Sequence, residues 1–196
     1  MISESWNSLK PLKNEYENIE FFEDYYERIR SKIEYSHIPS KVFEQWLWAH
    51  HDKAESIINY GWLDYENIEF ELCNWSNEQL ENIYIIDCAR DYFKLRASYG
   101  DFNNFCCTQE DLKFWKEKGT WKTPPIILDI QSLGKIPIHC ELKPPYQLVE
   151  GHSRLGYLHS MFTIDKVRKG NVATTHEIYL MKKTSLIDVD NFKYKK

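Results

Sequence analysis

The chain has 196 residues, of which 42% are hydrophobic and 28% are charged, and it contains 7 Gly and 7 Pro. This length suits one large domain or two small ones, and the composition excludes collagen-like, low-complexity and wholly disordered proteins. No apolar run approaches the ~18 residues that span a bilayer. The first residues lack the basic and apolar regions of a secretory signal. We therefore expect a folded, cytoplasmic protein.

The five cysteines are Cys73, Cys88, Cys106, Cys107 and Cys140. Their number is odd and none forms a C-x-x-C pair, so they resemble neither a disulfide framework nor a zinc site. We expect reduced thiols that are mostly buried. No basic residue adjoins Cys106-Cys107 in sequence, so nothing local predicts an activated thiolate there.

Charge divides the chain into two parts. Residues 1–120 carry 13 Lys and Arg against 23 Asp and Glu, whereas residues 121–196 carry 12 against 7. The change coincides with Thr123-Pro124-Pro125, and consecutive prolines are typical of a boundary between elements. We predict an α+β protein in which an acidic, aromatic-rich, mainly helical domain (residues 1–123) packs on a small, basic, mixed α/β domain (residues 124–196).

Apolar spacing of three and four residues predicts helices over residues 15–38 and 41–60. Alternation predicts a short strand over residues 67–73. Ser76 begins a capping box that predicts a helix reaching Gly100, and Thr108 begins another that ends at Gly119.

Aromatic and histidine residues in this half admit two interpretations each. Tryptophans on helices are more often core residues than an exposed recognition patch. His50 and His51 are adjacent, so on a helix their side chains diverge by about 100°. This favours a surface or core role over a metal site.

After Pro125 the pattern changes to short β-type runs. Residues 126–130, 136–140 and 146–149 are predicted strands, with Pro137 restricting the second to a sheet edge. A helix follows Gly151, and residues 177–181 form a closing strand.

The run Glu150-Gly151-His152-Ser153-Arg154 joins the third of these strands to the helix. Glycine permits a sharp turn, and the first helical N–H groups have no intrahelical partner and carry partial positive charge. An imidazole, a hydroxyl and a guanidinium in that first turn suit phosphate oxygens. The pattern therefore predicts an anion site. The alternative from the same residues is that Arg154 caps the helix and pairs with Glu150.

Taken in order, the strand over residues 126–130 with Asp129 and Leu133, the run Leu148 to Leu155, and the strand over residues 177–181 resemble the ParB/sulfiredoxin-like nucleotide-binding fold. The resemblance covers residues 124–183, about a third of the chain.

This resemblance implies binding of ATP, ADP or CTP together with Mg²⁺, and phosphoryl transfer or nucleotide hydrolysis. Phosphates would lie on the turn from Gly151 to Arg154, with Arg154 as the clamp and His152 as a second contact. Glu150 would organise Mg²⁺ or transfer a proton, and Asp129 is a second candidate for that catalytic role. Phosphoryl transfer depends mostly on positioning and charge neutralisation, which so small a set of groups can supply.

The chain also departs from members of this fold. His152 occupies the position of the sulfiredoxin cysteine, so peroxiredoxin repair is not expected. Only 33 residues follow Thr163, too few for the DNA-binding domain of a partition ParB. Two alternatives stay open: an interaction or inhibitor protein, of the immunity or anti-defence kind, that binds a protein partner through its acidic half, and a ParB-like nuclease that contacts nucleic acid through the basic loop 166–171.

Overall fold

The computed structural model describes residues 1–168 and 172–184. That part of the chain contains eight α-helices: α1 (Glu4–Ser8), α2 (Phe22–Arg30), α3 (Ser40–Val42), α4 (Ala54–Tyr60), α5 (Asn77–Glu81), α6 (Asp87–Ala97), α7 (Gln109–Lys118) and α8 (His152–Arg168). It also contains five strands: β1 (Ile68–Ser76), β2 (Ile83–Tyr84), β3 (Ile126–Asp129), β4 (Tyr146–Glu150) and β5 (Thr175–Lys183). The predicted α+β class is confirmed. None of the described helices is long and apolar enough to cross a membrane.

The five strands form one mixed sheet in the order β1-β5-β3-β4-β2. β3 is parallel to β5 and antiparallel to β4, while β1 is antiparallel to β5 and the short β2 is parallel to β4. β1 and β2 precede the boundary predicted near Thr123, and the other three strands follow it. The proposed domains, residues 1–123 and 124–196, therefore share a sheet.

A hydrophobic cluster covers each face of this sheet. Ile126 and Leu128 of β3 belong to a cluster with aromatic residues from the N-terminal 65 residues, including Trp6 of α1 and Trp46, which lies between α3 and α4. Ile127, between them, belongs to a second cluster on the side of α7 and α8. Successive strand residues point to opposite faces, so this alternation places β3 in the middle of three layers.

Most of the tryptophans are core residues, as the sequence analysis favoured. Five of the seven are no more than 5% exposed: Trp6, Trp46, Trp75, Trp115 and Trp121. They do not form an exposed recognition patch.

Several predicted elements are confirmed. β1 covers residues 68–73 of the first predicted strand and extends it to Ser76. β3, β4 and β5 match the strands predicted over residues 126–130, 146–149 and 177–181. Ser76 makes the predicted capping box with Gln79. Thr108 caps α7, which ends at Gly119 in the left-handed conformation.

The extent of the helices was often predicted wrongly. The helix predicted over residues 15–38 is only α2, because Lys13 and Ile19 pair in a β-bridge before it. The helix predicted over residues 41–60 begins as α3 and continues as a π-helical segment, Phe43–Trp48. It breaks before α4 begins at Ala54.

Two further predictions fail. The helix predicted from Ser76 to Gly100 is interrupted: α5 ends at Glu81, the next residues pair as β2 with β4, and the helix resumes only as α6 from Asp87 to Ala97. Residues 136–140 form turns instead of a strand, and Ile138 is fully exposed.

All five cysteines are free, as expected, but the prediction that most are buried is wrong. Cys88 and Cys106 are exposed and the other three are partly exposed.

Candidate functional site

The turn between β4 and α8 has the geometry that its glycine predicts. Gly151 has a φ of 108°, and its carbonyl accepts the first helical hydrogen bond, 2.9 Å from the Leu155 amide. A Cβ at this position would lie 2.5 Å from the Cβ of Pro125. Both the backbone angle and the close packing therefore require glycine here.

His152, Ser153 and Arg154 form the first turn of α8. Their amides have no intrahelical acceptor, as in any helix. The Ser153 hydroxyl lies 2.6 Å from that of Tyr92. His152 Nε2 is buried and has no hydrogen-bond partner among the described residues. Burial lowers the pKa of His152, with the nearby Glu150 opposing the shift. The ring is thus neutral at pH 7 and has an unused hydrogen-bonding nitrogen.

A cavity of about 500 Å³ opens beside this turn. Its walls include the first turns or N-caps of three helices, namely Lys53, Glu55 and Ser56 of α4, Ile86, Cys88 and Ala89 of α6, and His152 and Ser153 of α8. Neither the Lys53 nor the Ile86 side chain caps its helix. The N-termini of α6 and α8 contribute partial positive charge, which favours an anion in this cavity. The seven-residue α4 adds little, since the carboxylate of its Glu55 also lines the cavity. At the start of α6, the Asp87 amide already donates a hydrogen bond of 2.5 Å to Glu141 Oε1.

Glu150 and His50 also line the cavity, which we call the first cavity. His50 Nε2 lies 3.5 Å from Glu150 Oε2. Burial lowers the pKa of His50, and Glu150 again opposes the shift. The residue therefore lies in the site as a partly buried imidazole beside a carboxylate. Sequence reasoning missed this role, because nothing local connects His50 with a glutamate a hundred positions away.

Arg154 lies across the turn from the first cavity. Its Nη2 donates a hydrogen bond of 2.6 Å to Gln45 Oε1 and lies 3.5 Å from Glu150 Oε1. Gln45 in turn donates to the Pro124 carbonyl, 3.1 Å away. In this conformation Arg154 pairs with Glu150, which is the structural alternative that the sequence analysis left open. Its hydrogen bond to Gln45 also connects the turn to the π-helical segment.

Arg154 also lines a second cavity, of about 300 Å³, on its own side of the turn. Glu150, Gly151 and Ser153 reach this second cavity as well. The five residues predicted from the sequence therefore form the partition between the two cavities.

Asp129 is not brought to the turn. It pairs with Tyr146 in the register of β3 and β4, whereas Glu150 pairs with Ile126 at the other end. Four residues of strand separate the two positions by ~13 Å. The Asp129 carboxylate accepts from the Gln131 amide at 3.0 Å and begins a short 3-10 turn.

The donor set limits how a metal ion could bind. Within residues 1–168 and 172–184, no group of three or more His, Cys, Asp and Glu is arranged to hold one. Glu150 is the carboxylate of the turn itself. Mg²⁺ commonly binds through one or two carboxylates, phosphate oxygens and water, so Glu150 fits an ion that arrives with a phosphate ligand.

Charges of the acidic half are partly neutralised by the basic half. Lys182 of β5 lies 2.6 Å from Glu71 and 3.8 Å from Glu69, both on β1. These two carboxylates are therefore paired within the protein. The basic loop 166–171, which motivated the nuclease alternative, lies outside the residues whose side chains are described. The interaction-protein and nuclease alternatives stay predictions.

No family model matches this chain, and neither the curated proteins nor the solved structures include one that is significantly similar to it.

Proposed function

We propose that this protein binds a nucleoside di- or triphosphate in the first cavity, with the phosphates against the first turn of α8, and transfers or hydrolyses its terminal phosphoryl group. The observation that carries the proposal is the convergence of helix N-termini on one cavity of about 500 Å³. This volume lies in the range of small-molecule sites, and the N-terminal ends of α6 and α8 favour an anion.

Three polar groups add direct contacts to the helix charge. Ser153 offers a hydroxyl, His152 offers its unpaired ring nitrogen, and Lys53 supplies a full positive charge on the same wall. A phosphate that accepted a hydrogen bond from His152 would satisfy a buried atom that is otherwise unpaired, which favours the bound state. The apolar side of the cavity, which includes Tyr60 and Val149, is available to the nucleoside.

Glu150 is the residue we assign to the chemical step. It lies at the cavity wall, with one carboxylate oxygen facing His50 and the other facing Arg154. A carboxylate in this position can hold a phosphate-bound Mg²⁺ or accept a proton from the attacking hydroxyl group or water. The Mg²⁺ ion would neutralise charge on the transferred group.

Arg154 has a different role in this proposal from the one the resemblance implies. Its Nη2 is used by Gln45 and Glu150, so it orients the catalytic carboxylate and keeps the turn closed. Because Arg154 lies across the turn and does not line the first cavity, we assign it no contact with the phosphates.

Isothermal titration of the full chain with ATP, ADP and CTP in Mg²⁺ tests the proposal. We expect saturable heat with at least one nucleotide. Ser153→Asp should abolish it, since a carboxylate in the first turn of α8 repels phosphate while it favours the helix itself. Gln109→Asp is the matched control, because it adds the same charge to the first turn of α7, outside the first cavity. Absence of heat with all three nucleotides, or equal binding by the two variants, contradicts the proposal.

A further inference from the structure

A groove of about 640 Å³ lies on the surface near the start of the chain and is lined by residues between Leu12 and Asp24. We call it the N-terminal groove. Three large apolar side chains line it and are exposed, Leu12 by 56%, Ile19 by 43% and Phe21 by 78%. Single exposed apolar residues are normal on protein surfaces, whereas several around one groove are typical of an interaction site.

The backbone that carries these side chains is held in place. The Glu20 amide donates to the Leu12 carbonyl at 2.9 Å, and the Leu12 amide donates to Glu20 Oε1 at 2.7 Å. Arg28 pairs with the same carboxylate, and Trp48 Nε1 donates to the Glu20 carbonyl at 2.9 Å. A surface that is already ordered loses little conformational entropy when a partner binds.

Negative charge surrounds the apolar side chains of the N-terminal groove. Lys13 is the one basic residue among residues 12–24, and its Nζ lies 3.2 Å from Asp52 and 3.7 Å from Glu17. The same range contains five carboxylates: Glu15, Glu17, Glu20, Glu23 and Asp24. Of these, Glu15, Glu23 and Asp24 are exposed and form no ion pair with any residue that the structure describes.

This charge selects among the possible occupants of the groove. Nucleic acids and anionic membrane surfaces are negatively charged, so the carboxylates repel them. In a symmetric dimer, a second copy of the chain would place an identical acidic surface against the first. A protein segment that combines apolar side chains with Lys and Arg complements both features of the groove.

We propose that the N-terminal groove binds a basic, amphipathic segment of a partner protein. Apolar side chains of the partner cover Leu12, Ile19 and Phe21, and its Lys and Arg side chains face the unpaired carboxylates of Glu23 and Asp24. The groove gives the acidic half of the chain a defined interaction surface. Its binding does not depend on the proposed nucleotide binding.

Three labelled peptides test this surface on the full-length protein by fluorescence anisotropy. The first repeats Leu-Lys-Lys-Leu-Leu-Lys-Leu and is basic and amphipathic. The second has Glu in place of every Lys, and the third has Ser in place of every Leu. We expect saturable binding of the first peptide that weakens as salt rises, because salt screens its charged contacts. The acidic peptide and the Ser-containing peptide should bind at least about tenfold more weakly.

Phe21 allows the apolar contact to be removed without damage to the fold. It is the N-cap residue of α2 and makes no side-chain capping bond. Ser is a favoured N-cap residue, so Phe21→Ser should not weaken α2. We expect this variant to bind the basic peptide about tenfold more weakly. Ile138→Ser is the matched control, because Ile138 is fully exposed but does not line the groove, and it should bind like the unchanged protein.

A second pair of variants tests the charge. Glu23→Gln combined with Asp24→Asn removes two carboxylates from the first turn of α2. This double variant should bind the basic peptide about threefold more weakly at low salt and show a smaller salt dependence. Glu78→Gln combined with Glu81→Gln removes two exposed carboxylates from α5, outside the groove, and should leave binding unchanged.

The same measurements identify other occupants. No saturable binding of the basic peptide at up to about 100 μM protein, equal binding of the acidic peptide, or equal effects of Phe21→Ser and Ile138→Ser would overturn the proposal. A dimer in analytical ultracentrifugation that Phe21→Ser dissociates would assign the groove to a second copy instead. Replacement of Lys193, Lys195 and Lys196 by Gln should not change peptide binding, and a gain would assign the groove to the chain's own C-terminal residues.

Discussion

The position of the whole site depends on the backbone conformation of Gly151. Its φ of 108° turns the chain from β4 into α8, and the space where a Cβ would be is filled by Pro125. A side chain would either strain the backbone or push these elements apart, and both would displace the partition between the cavities.

Substitution of three glycines separates strain from crowding. Gly151→Ala should destabilise the fold by about 2 to 4 kcal/mol, since it combines an unfavourable φ with a steric clash. Gly134 has a φ of 72°, but a Cβ added there would meet no other atom within 4 Å. Gly134→Ala should therefore lower the free energy of unfolding by only about 1 kcal/mol. Gly100→Ala meets nothing within 4 Å and should be nearly neutral. Urea unfolding measures all three. A Gly151→Ala protein as stable as Gly100→Ala would show that the turn is not constrained.

The residues that the sequence could predict for the site are those whose role is local. Gly151, Ser153 and the helix start follow from turn and capping chemistry within a few positions. Gln45 and His50 could not be predicted, because each meets the turn only when the sheet brings distant elements together. The same reason explains why Asp129 was assigned to a site that it does not reach. Its strand, β3, is next to β4 in the sheet, but Asp129 lies at the end of β3 that is far from the turn.

Among the elements, an identical hexapeptide adopts two structures. Tyr-Glu-Asn-Ile-Glu-Phe occurs at residues 16–21 and 65–70. The first copy is a loop in which Glu17 has a φ of 62° and Tyr16 is 75% exposed. The second begins as a 3-10 turn and continues into β1, with Tyr65 fully buried. Tertiary partners, in this case β5, decide between the two conformations.

The capped start of α5 was predicted correctly and its end was not, for a similar reason. The capping box at Ser76 depends on neighbouring residues, so it is visible in the sequence. The end of α5 at Glu81 depends on β4, which recruits Ile83 and Tyr84 to its edge. Apolar residues at helical spacing cannot reveal that competition.

Loss of this cap should be measurable. Ser76→Ala removes the hydroxyl that accepts from the Gln79 amide at 3.3 Å and should cost about 1 kcal/mol of unfolding free energy. Ser31→Ala is the control, because its exposed hydroxyl bonds only a carbonyl three residues earlier and should matter by less than about 0.5 kcal/mol. Equal denaturant midpoints for the two variants would indicate that α5 needs no cap.

For the whole molecule, burial of histidines links stability to pH. Burial lowers the pKa of His50, His51, His152, His159 and His176. For His176, which is 1% exposed and bonds Thr120 and Asn77, the pKa falls to about 4.

Unfolding should therefore become easier as the pH falls. Below an ordinary pKa of about 6.5, the unfolded chain binds protons that the folded chain excludes, so stability present above that pH is lost down to about 4. His176 alone accounts for about 3 kcal/mol across this window. Urea unfolding at several pH values measures the slope, and His176→Gln should reduce it. A slope that His176→Gln leaves unchanged would contradict the assignment.

The fold also brings the acidic and the basic part of the chain together at one site. α4 and α6 come from the acidic part and α8 from the basic part, and residues from the first turns or N-caps of all three line the first cavity. The site could therefore not be predicted from either part alone.

A crystal structure of the protein soaked with Mg²⁺ and ADP tests this account most directly. We predict phosphate density in the first cavity, within hydrogen-bond distance of the His152 and Ser153 amides, with Mg²⁺ between the phosphates and Glu150. A first cavity that stays without nucleotide after soaks with millimolar ADP, ATP and CTP in turn, or nucleotide bound elsewhere on the protein, would contradict it.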